Sequence, residues 1–383
     1  MTEPYILWFG SLSTSTDVPD NTVAMSPAAD RWQRALAKAI TEQGVGVEVV
    51  SYVARPIWPR GPFTLGAEAR SRSDDGLAVR QIGYRNLPFW RVAALTGARI
   101  AAGLRRARSG APRAIVTFNA HPNTTLAAGA LRALTKAPWL CLVADLRSLS
   151  PGKARSPMAA AEWLALASAD ARIYLSAALA PALDRPNDVH VDGGVDAMRE
   201  FTPGRGGTAI YAGALTKGAG VDLAIEAFHS VRHRDAHLTV YGKGDVARVR
   251  RLAAGDQRIT VKGLVSRVEL AAAMASARVL LNPRLPEAPE NTGTFPSKVL
   301  DYLAFGKPIV STWTPGLAES YRDLLYPAKA DAADFAAAID RCLALDNAGL
   351  ADRYALIRAF ATGHTWTQQA ERVLAVVERL RRA

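Results

Sequence analysis

The chain has 383 residues, 49% of them hydrophobic and 21% charged, with a formal net charge of +12, so it can bury the cores of two domains of about 150 to 200 residues each. No apolar run approaches the roughly 18 residues of a transmembrane helix, and residues 1–10 lack the features of a secretory signal, which predicts a cytoplasmic location. Two cysteines, Cys141 and Cys342, cannot form a disulfide framework or a zinc site.

The chain opens with a β-α-β pattern. An apolar strand at Tyr5 to Phe9 ends at Gly10, a helix with a period near 3.6 starts at Pro27, and a second strand covers Val45 to Val53. Doubly wound sheets place ligands in the loop after such a first strand. Gly10 stands alone, without the spaced glycines of a dinucleotide-binding fingerprint.

A basic region follows. Residues 55–75 are rich in Pro, Gly, Ser and Arg and indicate an exposed excursion, and a helix is predicted from about Phe89 to Arg108 with five arginines. Between Val45 and Leu140 there are 14 basic and 4 acidic residues. This surplus could attract an anionic acceptor, a membrane surface or a polyanion, or form a plain solvated surface. The helix could lie on anionic lipid, although its small residues leave little bulk to insert.

Two buried-type strands end in polar residues. The strand at Ala114 to Phe118 leads to His121, and the strand at Trp139 to Ala144 leads to Asp145 and Arg147. Polar side chains just past strand ends fall at the ligand-binding edge of a parallel sheet, so His121 and Asp145 are predicted functional residues. The alternatives are a structural histidine and a capping aspartate.

The alternation of strands and helices then continues into a second domain. Two short strands, at Arg172 to Leu175 and Val189 to Val191, flank a helix capped by Ser176, and a Gly-rich linker places a domain boundary near residue 204. The second domain opens with a strand at Thr208 to Ala212. The glycine turn that follows contains Gly213 and Lys217 before a helix, which suits a phosphate contact.

The most informative stretch is Asn282 to Trp313. A strand enters a Pro-rich loop, a helix opens with Pro296 and Ser297, and Gly306 closes it before the next strand. The helix start offers backbone amides, dipole and Lys298 to a phosphate, and Asp301 could accept from ribose hydroxyls. The combination predicts a nucleotide site; the alternative is a helix cap beside a solvated acidic loop.

The end of the chain continues the alternation. A strand is predicted near Leu324 to Tyr326, a helix at about Ala333 to Leu345, and a last helix from Thr365 to Arg382.

The run Pro296-Ser297-Lys298 with Gly306-Lys307-Pro308 resembles the donor-nucleotide motif of retaining glycosyltransferases of family four. In the usual pattern two glutamates stand eight positions apart; here Gly293 and Asp301 occupy those positions. The resemblance implies that loop amides at Thr292, Gly293, Thr294 and Phe295, or the carboxylates of Glu287 or Glu290, hold the sugar beside Ser297, Lys298 and Asp301.

Other segments are similar to the same family. Gly213 and Lys217 match its diphosphate loop, although Ala214 replaces the usual Arg, so that Lys298 or Arg284 would supply the second positive charge. Gly263 and Val265 match the segment whose backbone reads the base. The family's loop after the first strand faces the acceptor or the sugar, so Ser11, Ser13 and Thr14 are candidates there, and a solvated loop is the alternative.

The resemblance implies an α/β protein of GT-B architecture, with two facing Rossmann-like domains built on parallel sheets. Residues 1–203 would form the acceptor domain together with a returning helix at 365–383, and residues 204–364 the donor domain. The run Gly193-Gly194-Val195-Asp196 is similar to the family's interdomain signature, and Trp366 matches the aromatic residue of the returning helix.

The implied activity is transfer of a sugar from a nucleoside diphosphate-sugar, with UDP as the default, to a hydroxyl of a glycan precursor, a lipid-linked saccharide or a natural product, with retention. The chain has no Asp-x-Asp metal signature, and we expect no metal, no cofactor and no nucleic-acid partner. His121 would position the sugar and Asp145 the acceptor, and peripheral membrane contact is a further expectation. The alternatives are a GT-B epimerase or phosphorylase and a noncatalytic basic binding protein.

Overall fold

The computed structural model describes residues 3–12, 27–67, 71–73, 75–146, 156–183, 185–204 and 206–383. Ser13, Thr14 and Arg147 lie outside these residues. The chain divides into two compact units. The first comprises Met1–Leu175, Leu179–Gly193 and Trp366–Ala383, and the second comprises Ser176–Ala178 and Gly194–Thr365.

The described strands of the first unit are β1 (Tyr5–Phe9), β2 (Gly46–Ser51), β3 (Thr64–Leu65), β4 (Ser71–Arg72), β5 (Ala78–Gln81), β6 (Tyr84–Arg85), β7 (Ala114–Phe118), β8 (Trp139–Val143), β9 (Ala171–Tyr174) and β10 (Val189–His190). Eight of these strands form one sheet in the order β10-β9-β8-β7-β1-β2-β5-β4, in which neighbours are parallel except the antiparallel pair of β4 and β5. A separate antiparallel pair joins β3 to β6. The unit's helices are α1 (Pro27–Glu42), α2 (Trp90–Ala107), α3 (Pro122–Thr135), α4 (Pro157–Ser168) and, at the end of the chain, α11 (Trp366–Arg382).

Both faces of this sheet are covered. Side chains alternate along a strand, so Ile6 and Trp8 of β1 enter one core while Leu7 and Phe9 enter the other. The first core is closed by α1 and α11, and the second by α2, α3 and α4. Burial on both faces explains why β1 is apolar throughout.

The last helix returns to the first unit. Trp366 packs edge-on against Trp32 of α1, with ring centroids 5.8 Å apart. The Gln43 side-chain amide donates to the Thr367 carbonyl over 3.0 Å. Val373, Val376 and other α11 side chains complete the first core.

The described strands of the second unit are β11 (Gly207–Ala212), β12 (Ala236–Tyr241), β13 (Ile259–Gly263), β14 (Val279–Asn282), β15 (Ile309–Thr312) and β16 (Tyr326–Ala328). They form one wholly parallel sheet in the order β13-β12-β11-β14-β15-β16. The unit's helices are α5 (Val221–His229), α6 (Val246–Ala253), α7 (Arg267–Ser276), α8 (Lys298–Leu303), α9 (Ala332–Leu343) and α10 (Asn347–Thr362).

The chain passes from the first unit to the second at Gly193 and Gly194, ahead of the boundary expected near residue 204. The intervening segment is tied to the second unit by specific bonds. The Arg199 amide donates to the Ala304 carbonyl over 2.9 Å, the Tyr354 hydroxyl to the Arg199 carbonyl over 3.0 Å, and the Lys307 ammonium to the Thr202 hydroxyl over 2.9 Å.

Two local expectations differ from the structure. The segment after Ser176 is a 3₁₀-helix, Ala177–Ala182, because Pro181 cannot continue an α-helix. The strand expected near Leu324 to Tyr326 starts only at Tyr326, since Glu319–Leu324 forms another 3₁₀-helix.

Candidate functional site

The candidate site lies in the second unit, at the carboxyl ends of β11 and β14. These strands are neighbours, and from them the chain order runs outward in opposite directions, towards β13 on one side and β16 on the other. Open α/β sheets bind ligands at such a switch point, outside the carboxyl ends of the strands. The loops are 213–220 after β11 and 283–297 after β14.

The loop after β11 is folded around Tyr211. The Tyr211 hydroxyl lies 2.6 Å from the Ala214 carbonyl and 3.3 Å from the Ala219 carbonyl. Burial raises the pKa of Tyr211, so the phenol keeps the proton that it donates. The Gly213 amide donates to the Tyr241 carbonyl over 3.0 Å, which fixes the start of the loop against β12.

Lys298 is the first residue of α8, and its ammonium group lies against this loop. The Nζ atom is buried, 4.4 Å from the centroid of the Tyr211 ring, and it has no hydrogen-bond partner among the residues that the structure describes. A Cβ atom at Gly213 would lie 2.5 Å from Nζ, so the ammonium group would have to shift if any other residue stood there. Burial, together with the nearby Arg284 guanidinium, lowers the pKa of Lys298 to about 7.

Arg284 organises the loop after β14. Its guanidinium donates to the Thr294 hydroxyl over 2.8 Å, to the Phe295 carbonyl over 3.3 Å and to the Asn291 side-chain carbonyl. All three of its nitrogens thereby donate to the loop itself. Burial removes this cation from water and so lowers its pKa. The hydrogen bonds to the loop offset the free-energy cost of that burial.

Asn291 joins the two loops, and the sequence did not indicate it. It is buried, and its side-chain amide donates to the Gly218 carbonyl over 2.8 Å and to the Leu285 carbonyl over 2.7 Å. An asparagine in a Pro-rich and Glu-rich loop gives no sequence signal for such a bridge. The contact follows from the paths of both loops at the switch point.

Tyr302 is a second residue that sequence reasoning missed. Its hydroxyl accepts from the Ala212 amide over 3.0 Å and lies 3.2 Å from the Leu281 carbonyl, so it connects the ends of β11 and β14. Burial raises the pKa of this phenol, which stays protonated. The sequence signal that could have identified Tyr302 was its position, one residue after Asp301 on the buried side of α8.

The structure brings most of the predicted donor residues to this edge. Thr294 and Phe295 are held by Arg284 as described, and the Thr292 hydroxyl donates to the Pro289 carbonyl over 3.0 Å. Glu290 is exposed, and its carboxylate lies against Gly218, where a Cβ atom would be 1.8 Å from Oε1. Gly293, by contrast, is buried.

Lys217 and the α8 residues are placed differently from one another. The Lys217 side chain is exposed at the tip of the loop after β11, and its carbonyl accepts from the Gly220 amide over 2.9 Å. The Ser297 amide donates to the Phe295 carbonyl over 3.0 Å, so it is already used within the loop, while the Ser297 side chain is exposed. Asp301 is half-buried and lies close enough to Tyr302 to help raise the pKa of that phenol.

The segment expected to read a base leaves the carboxyl end of β13. Gly263 has a φ of 77°, a backbone conformation that favours glycine, and its carbonyl accepts from the Gly242 amide over 2.8 Å. Val265 is half-buried, and Leu264 between them is 74% exposed.

The predicted residues of the first unit share the carboxyl edge of their own sheet. Asn119 follows β7 with a φ of 56°; its side chain accepts from the Ala144 amide over 2.8 Å and donates to Asp145 over 3.2 Å. Asp145 itself is exposed. His121 precedes α3, is half-buried, and its carbonyl accepts from the amides of Thr124 and Thr125.

In the part of the chain that the structure describes, no group of three or more His, Cys, Asp or Glu side chains is arranged to hold a metal ion. None of the helices in that part is both long enough and apolar enough to span a bilayer.

Solved structures share this fold over almost the whole chain. They include sucrose-phosphate synthase from Thermosynechococcus elongatus (17% identity, TM-score 0.71, 99% of each chain), a glycosyltransferase from Rickettsia africae (13%, 0.73, 99% of each chain) and HepE of Anabaena in complex with UDP and glucose (13%, 0.66, 98% of this chain and 100% of that one). A search of curated protein sequences finds no match. The α/β fold with parallel sheets in two domains, of GT-B type, is thereby confirmed.

The loops after β11, β13 and β14 all fall within residues 206–345. That range matches the family model described as Glycosyl transferases group 1. The second unit of this chain is therefore similar to the glycosyl transferases group 1 family over most of its length.

Proposed function

We propose that this protein is a retaining, metal-independent glycosyltransferase that moves a sugar from a nucleoside diphosphate-sugar to an acceptor hydroxyl. The observation that carries the proposal is the buried Lys298 ammonium, which lies beside Gly213 without a hydrogen-bond partner among the described residues. A buried cation without a partner is costly, and an anion at that place removes the cost. The donor's diphosphate is such an anion.

The departing diphosphate needs its developing charge stabilised. The two ammonium groups that would do this are that of Lys298, which lies beside Gly213, and that of Lys217 at the exposed tip of the same loop. Arg284, whose donors are engaged by its own loop, acts on the charge only through its field. These two ammonium groups take the place that a divalent cation has in metal-dependent transferases, and no further cofactor is needed.

The rest of the donor fits along the same edge. The backbone of Gly263 and Val265 would contact the base, and Asp301 the ribose. Residues 292–295 line the position of the sugar, where Gly293 stands in place of a glutamate. We take UDP as the nucleotide because Anabaena HepE, which shares this fold, has been solved in complex with UDP and glucose.

His121 and Asp145 are the residues that we propose for the sugar and acceptor side. The acceptor hydroxyl would attack from the leaving-group side while a diphosphate oxygen takes its proton, so that configuration is retained without a protein nucleophile. His121 would position the sugar and Asp145 would orient the acceptor. Replacing either with Ala should then lower turnover more than donor affinity.

The test is thermal unfolding with UDP, GDP and ADP, each with EDTA and with magnesium. UDP at a hundred times its dissociation constant is expected to stabilise the protein by about 2.7 kcal/mol, equally in EDTA and in magnesium. No shift with any nucleotide would overturn the assignment, and a shift only with magnesium would overturn metal independence. Conversion of the donor sugar without an acceptor would instead support the epimerase alternative.

The affinity for UDP should depend on pH through Lys298. The pKa of this ammonium is lowered to about 7 in the free protein, and bound diphosphate favours the charged form. Below pH 7 the ammonium group already carries its proton, so Lys298 adds no pH dependence to the affinity. Above pH 7 binding must take up a proton, so the affinity falls by up to about tenfold per pH unit. Titration calorimetry from pH 7 to 9, where the charge of UDP is constant, measures this. A wild-type profile as flat as that of Lys298→Met would contradict it.

A further inference from the structure

The first unit carries a lobe of exposed aromatic side chains that no part of the proposed donor site uses. We define the aromatic lobe as residues 55–65 and 84–92. Phe89 is fully exposed, Trp90 is 69% exposed, and Trp58 and Phe63 are each nearly half exposed. The Trp58 and Phe63 rings contact each other edge to face, with centroids 6.3 Å apart.

The two segments of the aromatic lobe form one scaffold. Asn86 is fully buried, and its side chain donates to the Pro56 carbonyl over 2.7 Å and to the Pro62 carbonyl over 3.0 Å. Its amide donates to the Phe63 carbonyl over 2.8 Å, and its carbonyl accepts from the Trp58 amide over 3.1 Å. The aromatic side chains are therefore presented by an ordered frame of hydrogen bonds.

Phe89 combines a strained backbone with a fully exposed ring. Its φ of 64° is a left-handed conformation that a bulky residue rarely adopts, and its ring makes no use of the core because it is fully exposed. A strained backbone that holds an apolar ring in solvent points to a partner outside the chain.

The charge around the aromatic lobe has one sign. The lobe contains Arg55, Arg60, Arg85 and Arg91 and no acidic residue, and the stretch Gly76 to Ala144 has ten basic residues and no acidic one. Arg60 and Arg85 are exposed. Such a surface complements an anionic one.

The arginines of α2 itself mostly face the protein. The Arg91 and Arg106 guanidinium groups lie over the rings of Tyr84 and Tyr5, Arg106 also pairs with Glu48, and Arg99 is fully buried over Tyr52. The exposed aromatic side chains with nearby exposed arginines are at the amino end of this helix, in the aromatic lobe.

We propose that the aromatic lobe docks the protein on an anionic phospholipid bilayer, with its aromatic rings at headgroup depth and Arg60 and Arg85 against lipid phosphates. Amphipathic indole rings favour that depth, and a cationic rim favours anionic lipid.

The position of the aromatic lobe bears on the acceptor. Its segments follow the carboxyl ends of β2 and β5, so it shares the edge of the sheet at which His121 and Asp145 lie. An acceptor carried by the bilayer would arrive at that edge, which makes a lipid-linked saccharide the acceptor class. This last step rests on the proposed function, whereas bilayer docking does not.

The test is co-sedimentation of the full chain with sucrose-loaded vesicles of dioleoyl phosphatidylcholine, with or without 30% phosphatidylglycerol, at about physiological ionic strength and without nucleotide. We expect binding to the anionic vesicles and little to the neutral ones. The double variant F89S/W90S should lose at least about tenfold in partition coefficient, and R60Q/R85Q about fivefold for each charge removed.

Matched variants control for loss of apolar area and of charge elsewhere. L134S/L164S removes two exposed leucines of the same unit, and R234Q/R251Q removes two exposed arginines of the second unit; both should bind as wild type does. All changed side chains are exposed, and an unchanged melting temperature verifies the fold.

Brominated acyl chains should quench tryptophan fluorescence in the wild type, and W58F/W90F should lose most of that quenching. The proposal is overturned if wild type does not bind anionic vesicles, or if F89S/W90S binds them equally. It is also overturned if sedimentation equilibrium shows a wild-type dimer that F89S/W90S dissociates, because the aromatic lobe would then be covered by a second copy. UDP binding is measured separately, so failure of one proposal leaves the other standing.

Discussion

Replacing Lys298 with Met is expected to reduce the affinity for UDP at least about a hundredfold while leaving the protein as stable as wild type or more so. Truncating one partner of a buried charge pair costs about 2 to 5 kcal/mol of binding free energy, and Lys298 is the buried partner in the proposed complex. In the free protein the same ammonium has no hydrogen-bond partner among the described residues. Met fills the space without that penalty, so the free energy of unfolding should rise by about 1 to 2 kcal/mol.

Calorimetric titration with UDP and urea unfolding measure the two effects. Lys329→Met is the control, because Lys329 is an exposed lysine of the same unit outside the site. Opposite signs for binding and stability distinguish a ligand-binding cation from a structural one. If Lys298→Met lowers both, the ammonium serves the fold and the donor-site assignment fails.

Replacing Gly242 with Ala should lower the free energy of unfolding of the second unit by about 3 to 5 kcal/mol and abolish UDP binding. Gly242 has a φ of 148°, and its added Cβ would lie 1.6 Å from the Gly213 carbonyl oxygen. Both backbone strain and a clash with backbone are therefore imposed. Relief requires Gly213 to move, and Gly213 lies against the Lys298 ammonium.

Gly255→Ala is the matched control for this substitution. Gly255 also has a positive φ, of 102°, but no atom lies within 4 Å of the position that its Cβ would take. It should show the strain alone, about 1 kcal/mol, with UDP affinity unchanged. If the urea midpoints of Gly242→Ala and Gly255→Ala coincide, the close approach of Gly242 to Gly213 makes no difference to the stability of the variant.

The sequence predicted those parts of the fold whose patterns are local. Strands such as β1 and β14 are short apolar runs between polar turns, and the α8 segment is marked by proline at its start and glycine at its end. The helices α4 and α10 were not anticipated: α4 is apolar on nearly all sides, and the apolar residues of α10 follow no clear stripe. Periodicity requires contrast between faces, and these helices offer little.

Some residues of the candidate site could be predicted from the sequence and others could not. Gly213 and Lys298 were predicted from their motifs, and the structure brings them into contact. Asn291 and Tyr302 were not predicted, because they form hydrogen bonds between segments that are far apart in sequence and meet only at the switch point. The use of the Ser297 amide by Phe295 was also unforeseen, since a helix start alone does not reveal how the preceding turn closes.

The closing of the first core by α11 imposes an order on biosynthesis. Trp32, Leu36 and their neighbours on α1 have no cover from that side until Trp366 and the valines of α11 have been made. The amino-terminal half therefore emerges from the ribosome with an open apolar face. The later half, in contrast, has all of its own strands before the last helix emerges. In this polypeptide the half that is synthesised first is the half that matures last.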